Sequence, residues 1–252
     1  MPPRWSARTL FPHFFAGAVA TLTTMATNPI DAVFARLRAE GRKAFMPFVT
    51  AGDPDLDFTA DVVRELDRRG CSMCEVGIPY SDPIADGPVI QASYTRALAK
   101  KIKLAEIFAM LGRVSRDVKM PLVTMVSYAI VYRHGLQQYV ADAKAAGVAG
   151  AIVPDLLVEE ADDLAAICKA ADFSLIQLVT PTTPRERAVR IARSSTGFLY
   201  YVSITGITGE RTELPPSLVV YVRFAHRNAP KVASAKCIAA TSTANGSTVA
   251  CA

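Results

Sequence analysis

The sequence predicts an α/β fold of the TIM (β/α)8 barrel class, and three features of its patterning carry that prediction. From Ile30 onward, short apolar runs rich in β-branched residues alternate with longer amphipathic stretches, the pattern of strand and helix units wound around a parallel sheet. Six of the short runs are apolar almost throughout, as strands covered on both faces are. Gly, Pro, Asp and Thr collect in the segments after those runs, whereas several returns from helix to strand are tight. A barrel suits this count better than a doubly wound sheet, and in a barrel the loops after the strands build the functional site.

Strands are predicted at residues 44–49, 72–77, 121–127, 150–153, 174–179 and 197–202. Amphipathic periodicity predicts helices at 30–40, 58–69, 89–100, 104–116, 136–146, 159–171, 184–193 and 215–226. The loops rich in turn residues fall at 50–54, 77–88, 154–155, 180–182 and 203–211. After Val232 the pattern breaks: 231–240 reads as at best one short strand, and 241–252 is small, polar and aperiodic. The expected organisation is an N-terminal extension outside the fold at 1–27, a (β/α) barrel domain at 28–230 and a divergent tail at 231–252. Because a complete barrel has eight strands, six clear units make an incomplete C-terminus the expectation, with the last two units missing or altered.

With 252 residues, 51% of them apolar and 20% charged, the chain has material for one sizeable core. Its net charge of +5 comes from Lys and Arg scattered among nearly as many acids, which argues against nucleic-acid binding and for mild attraction of anionic ligands. Five cysteines, sparse and odd in number, disfavour a disulfide scaffold and favour a reducing compartment, the cytoplasm. Cys71 and Cys74 form a C-x-x-C with no second pair at zinc spacing; on a strand they face opposite sides and read as buried thiols. Arg4 and Arg8 precede the apolar run 14–20 in imitation of a targeting peptide, but the run is too short to span a membrane and Met25 opens a conventional start. His13, His134 and His226 share no metal-ligand spacing, so no metal site is expected.

Chemistry concentrates in 72–88. Alternation along 72–77 places Met73, Glu75 and Gly77 on one face and Cys74, Val76 and Ile78 on the other. Glu75 is thus an acid aimed into a packed layer, and Gly77 beside it leaves space for a ligand. The six strands contain no Lys or Arg, and a carboxyl group buried without a cation holds its proton toward neutral pH, the condition for giving and taking protons. Asp82 and Asp86 follow in the loop, where each alone reads as a turn or cap residue.

The string Glu75-Val76-Gly77-Ile78-Pro79-Tyr80-Ser81-Asp82-Pro83-Ile84-Ala85-Asp86-Gly87-Pro88, taken with Pro47-Phe48-Val49-Thr50-Ala51-Gly52-Asp53-Pro54, resembles the tryptophan synthase alpha chain family. The similarity continues through Gln91-Ala92-Ser93, Pro154-Asp155-Leu156-Leu157, Thr180-Pro181-Thr182-Thr183-Pro184 and Tyr200-Tyr201-Val202-Ser203-Ile204-Thr205-Gly206-Ile207-Thr208-Gly209, in consistent order from near Asn28 to near Pro230. The resemblance implies a lyase of L-tryptophan biosynthesis that cleaves indole-3-glycerol phosphate to indole and glyceraldehyde 3-phosphate by a retro-aldol reaction. It implies no cofactor in this subunit, pyridoxal phosphate belonging to the beta subunit, with which an alpha2-beta2 tetramer forms; neither nucleic acid nor membrane is an implied partner. By the family pattern Glu75 matches the general acid and base, and Asp86 the carboxylate that binds the indole N–H. Phe48 matches the aromatic wall of the indole pocket, and Tyr200 the tyrosine near the reacting centre. Thr208 and Gly209 fall in the loop that closes over substrate and cradles its phosphate.

Two departures stand out. The family's Tyr-x-Asn-Pro after the third strand is here Tyr128-Ala129-Ile130-Val131, and its Gly-Phe-Gly-Ile-Ser and Gly-Ser-Ala segments have no equivalents after Pro230. They open an alternative: a truncated or frame-shifted alpha chain, catalytically impaired and acting only as a beta-subunit binding partner. A Schiff-base aldolase on the same barrel would need a strand-end Lys, which the six strands lack.

Overall fold

The computed structural model describes residues 28–83, 86–202 and 235–238. Asn28 accepts a hydrogen bond from the Ile30 N–H and so caps helix α1 (Pro29–Ala39). Its amide also donates to the carbonyls of Ala149 and Asp172, next to the starts of two later strands. Ile30, Val33, Phe34 and Leu37, three and four residues apart, form the buried face of α1. That face packs against Val123 and Ile176 from the strands and against Met46, Met73 and Phe198 from the residues just before them, so α1 plugs the end of the barrel where the strands begin.

Around this plug run β1 (Phe48–Thr50), β2 (Cys74–Gly77), β3 (Leu122–Met125), β4 (Val148–Ile152) and β5 (Ser174–Ile176), parallel and in that order. A second parallel sheet holds β6 (Leu178–Val179), β7 (Leu199–Val202) and β8 (Ala235–Ile238). β5 and β6 are the halves of one predicted strand, parted at Gln177. The Gln177 N–H leaves the ladder to donate to the Ser195 hydroxyl, while its carbonyl still accepts from the Tyr200 N–H. The two sheets therefore continue one another through this strand.

All six predicted strands are present, and β8 adds a seventh position, paired with β7 from Leu199↔Ala235 to Val202↔Ile238. The expected gap at the C-terminus narrows by that strand, because a four-residue run suffices to pair the open edge of β7. β1 begins later than predicted because Pro47 has no N–H to give the ladder.

Helices α2 (Leu56–Arg68), α3 (Pro88–Ala99), α4 (Leu104–Val114), α6 (Leu136–Ala145), α7 (Asp162–Ala170) and α8 (Arg185–Ser194) lie within a few residues of their predicted positions. The predicted helix at 215–226 lies outside the described residues. Helix α5 (Tyr128–His134) was not expected from so aromatic and β-branched a run. Its start is fixed from outside: Ser127 caps the Ala129 N–H, and Asp155 accepts from both Ser127 Oγ and the Tyr128 N–H at 2.7 Å.

The strand faces sort as alternation demands. Met73 joins the inner cluster with α1, whereas Cys74, Val76 and Ile78 join the outer one under α2, α4 and α6.

Candidate active site

Glu75 is 1% exposed and sits on the inner face of β2, level with Phe48 on β1 and Val123 on β3. β2 ends at Gly77, and the chain returns through Asp86 and Gly87 to Pro88, the first residue of α3. Pro88 suits that place because its missing N–H has no helical partner to lose. Gln91, one turn into α3, donates its amide to the carbonyls of Asp86 at 2.8 Å and Pro83 at 3.3 Å, and the Asp86 N–H donates to Pro83. These bonds fix the backbone of Asp86 beside the mouth of the barrel.

The electrostatics bind the loop to the strand. Burial pushes the Asp86 carboxyl up from 3.8 to about 6; the charge of Glu75 adds to the rise, and a hydrogen bond from Tyr80 opposes it. Tyr80 is itself pushed up to about 12, first by burial and then by Asp86 and Asp155. The Tyr94 phenol is raised by burial, Asp86, Tyr80 and Glu75 in that order. Glu75, Asp86, Asp155 and two phenols thus form one interacting cluster at the strand ends.

Gly77 has a different use from the one expected. A Cβ there would lie 2.4 Å from Phe48 Cζ and 2.9 Å from the Tyr94 hydroxyl, so the space beside Glu75 is taken by the protein's own Phe48 and Tyr94. Gly77→Ala therefore costs about 1–3 kcal/mol, as overpacking does. Gly112→Ala, whose methyl would meet only Ala146 Cα at 3.7 Å, is the comparison in thermal denaturation. Equal midpoints for the two variants would contradict this packing.

Phe48 borders, and Tyr200 belongs to, the same inner apolar cluster with Met125 and Ile176. Glu75, Asp86, Phe48 and Tyr200 therefore all lie on the barrel interior or its mouth. Thr208 and Gly209 lie outside the described residues. Tyr80, Tyr94 and Asp155 were not singled out from sequence. Tyr80 stood within the quoted string and Asp155 within another, but Tyr94 carried only the signal of a helical position facing the sheet.

Side-chain bonds fasten the rim. Arg96 on α3 grips Asp53 with two bonds of 2.8 and 2.6 Å, and Thr50 meets Ser93 at 2.7 Å. Among the described residues no group of three or more His, Cys, Asp and Glu side chains is placed to hold a metal. No described helix is long and apolar enough to cross a membrane.

Comparison with known proteins agrees with this geometry. The family model described as tryptophan synthase alpha chain matches residues 34–240. The tryptophan synthase alpha chain of Rhodopirellula baltica is 58% identical over 195 residues, covering 76% of this chain and 70% of that one. The corresponding protein of Synechocystis is 47% identical over 187 residues, covering 74% and 71%. Among solved structures, Mycobacterium tuberculosis tryptophan synthase superposes with a TM-score of 0.73 at 32% identity over 78% of this chain and 76% of that one. The tryptophan synthase complex from Pyrococcus furiosus gives 0.70 at 35% over 79% and 78%. A match across most of the barrel, spanning both the strand that carries Glu75 and the loop that carries Asp86, settles the family: the chain is a TIM-barrel lyase of the tryptophan synthase alpha chain family.

Proposed function

We propose that the chain cleaves indole-3-glycerol phosphate to indole and glyceraldehyde 3-phosphate, with Glu75 moving the protons and Asp86 holding the indole nitrogen. The observation that carries this reading is the coupling of a fully buried inner-face glutamate to a second carboxylate at the mouth of the same barrel. Glu75, as the acid, gives a proton to the ring carbon that bears the side chain, leaving positive charge on the ring nitrogen. The Asp86 carboxylate accepts the nitrogen's hydrogen bond and stabilises that charge. Glu75, now the base, removes the proton from the adjacent side-chain hydroxyl. The carbon–carbon bond breaks, its electron pair returns to the ring, and the aldehyde forms. Phe48 and Tyr200 supply apolar walls for the flat ring. The sequence of steps balances with one proton carrier and needs no cofactor in this chain. The test is direct: purified protein supplied with indole-3-glycerol phosphate releases indole, and Asp86→Asn and Glu75→Gln each suppress the release.

A beta subunit as partner is supported by the mouth of the barrel itself. Phe58, Tyr132 and Leu157 are 51%, 70% and 50% exposed on segments that follow β1, β3 and β4, an apolar fringe on the same face as the carboxylates. The double change Tyr132→Asp with Leu157→Asp weakens binding to a tryptophan synthase beta subunit by about tenfold or more, measured by calorimetry, with an unchanged circular dichroism spectrum. Undiminished affinity would place the partner elsewhere.

A further inference from the structure

Tyr94 carries a buried polar atom that the packing of α3 does not call for. The residue is 1% exposed, and its hydroxyl has no hydrogen-bond partner among the described residues. An unbonded buried hydroxyl costs stability, and phenylalanine would fill the same place without that cost. The oxygen is nevertheless held firmly. Ser93, the residue before, meets Thr50 on β1 at 2.7 Å, and Arg96, two residues on, grips Asp53 after β1 with its two bonds. The Tyr80 ring lies against the Tyr94 ring, with centroids 5.4 Å apart at a tilt of 58°. Gly77 at the end of β2 makes room for the oxygen. A Cβ there would lie 2.9 Å from the Tyr94 hydroxyl and 2.4 Å from Phe48 Cζ, so the phenol oxygen and the tip of the Phe48 ring converge on one point.

We propose that Tyr94 is a specificity-determining residue of this site, its hydroxyl closing the pocket beyond Glu75 so that the indole ring is accepted only with a bare edge toward Gly77. The inference rests on the reading of the barrel interior as the site for indole-3-glycerol phosphate, and goes beyond it by naming what limits the size of the ring. The register of the strands gives the geometry. Phe48 pairs with Glu75 and Thr50 with Gly77, so the Phe48 ring starts level with the glutamate and leans toward the strand end. Glu75 and Gly77 share the inner face, two residues and about 6.6 Å apart along β2. That separation is close to the length of a fused two-ring system. A ring that lies against Phe48 with its reacting carbon at Glu75 therefore meets the Tyr94 oxygen at its far edge. The C–H edge of an aromatic ring carries partial positive charge and suits the lone pairs of the phenol oxygen. A methyl group on that edge collides with the oxygen instead, and the bonds around Ser93 and Arg96 leave α3 no slack to withdraw it.

The test runs the reaction in the direction that joins the ring to glyceraldehyde 3-phosphate, because one pocket serves both directions. Indole, and each indole that carries a single methyl group on its benzene ring, is supplied in turn and kcat/KM is measured. Tyr94→Phe removes the oxygen and keeps the ring. In that variant the kcat/KM of one or two of the methylindoles, relative to indole, rises about tenfold over the ratio in the unmodified protein, the scale of one methyl group in a shaped pocket. The thermal midpoint of the variant equals or exceeds that of the unmodified protein, because an unpaired buried oxygen is lost. Unchanged ratios for every methylindole overturn the proposal, and so does an equal rise for all of them, the mark of a loosened pocket. A lowered midpoint also overturns it, by showing that the hydroxyl is bonded within the fold. Calorimetric binding of the same indoles without the aldehyde reads the same ratios, so the pocket is tested even where no product forms and the reading of the reaction fails. Failure of both proteins to bind any of these indoles would overturn the proposal as well.

Discussion

Glu75→Gln lowers the rate of indole release from indole-3-glycerol phosphate by about three orders of magnitude and leaves the thermal midpoint close to that of the unmodified protein. The size of the effect follows from the double use of one side chain. Both proton transfers, onto the ring carbon and away from the hydroxyl, pass through the same carboxyl group, so its loss removes acid and base together. The amide keeps the shape of the glutamate in a position 1% exposed between Phe48 and Val123, which separates chemistry from packing. Indole release by the variant at the unmodified rate, with an intact circular dichroism spectrum, would show that Glu75 is not the proton carrier.

Asp86→Asn lowers kcat by about two to three orders of magnitude, the scale on which a group aimed at developing charge acts. Its pH signature is distinctive. Asp86 must be ionised to stabilise a positive ring, and its carboxyl is pushed up to about 6, so activity of the unmodified protein climbs as pH rises through about 6 and flattens above it. Stability runs the other way. A carboxyl raised in the folded state from 3.8 to about 6 contributes stability that is fully present below 3.8 and is lost as pH rises through about 6. The thermal midpoint of Asp86→Asn, compared with that of the unmodified protein, therefore gains between pH 4 and pH 7. A difference that stays flat across this window would mean that Asp86 is not held in the buried, carboxylate-facing place described here.

Much of this site was legible because its framework is local. Strict alternation in 72–77 was enough to put Glu75 inside and Cys74 outside, and the run of Pro and Gly after it marked a loop between strand and helix. What escaped was set by contacts distant in sequence. Helix α5 depends on Asp155, 27 residues from the Tyr128 N–H it caps, and its own residues favour a strand. The break at Gln177 depends on a serine hydroxyl 18 residues on. Alternation shows that Gly77 shares the face of Glu75 but not that Phe48 and Tyr94 fill the space there. Tyr80 and Tyr94 are ordinary aromatics in their own segments, and only the fold brings their rings to 5.4 Å of one another. Phe48 and Tyr200, singled out by the family resemblance alone, lie against and within the inner apolar cluster, and no local pattern distinguishes them from other core aromatics.

The most direct measurement is stoichiometric: purified chain, with no beta subunit present, is given indole-3-glycerol phosphate, and indole and glyceraldehyde 3-phosphate are quantified together. The account predicts that both appear in equal amounts, at a rate that rises through about pH 6 with the ionisation of Asp86. A cooperatively folded protein that forms neither product at any pH would contradict it, and would leave the chain as a binding partner without chemistry of its own.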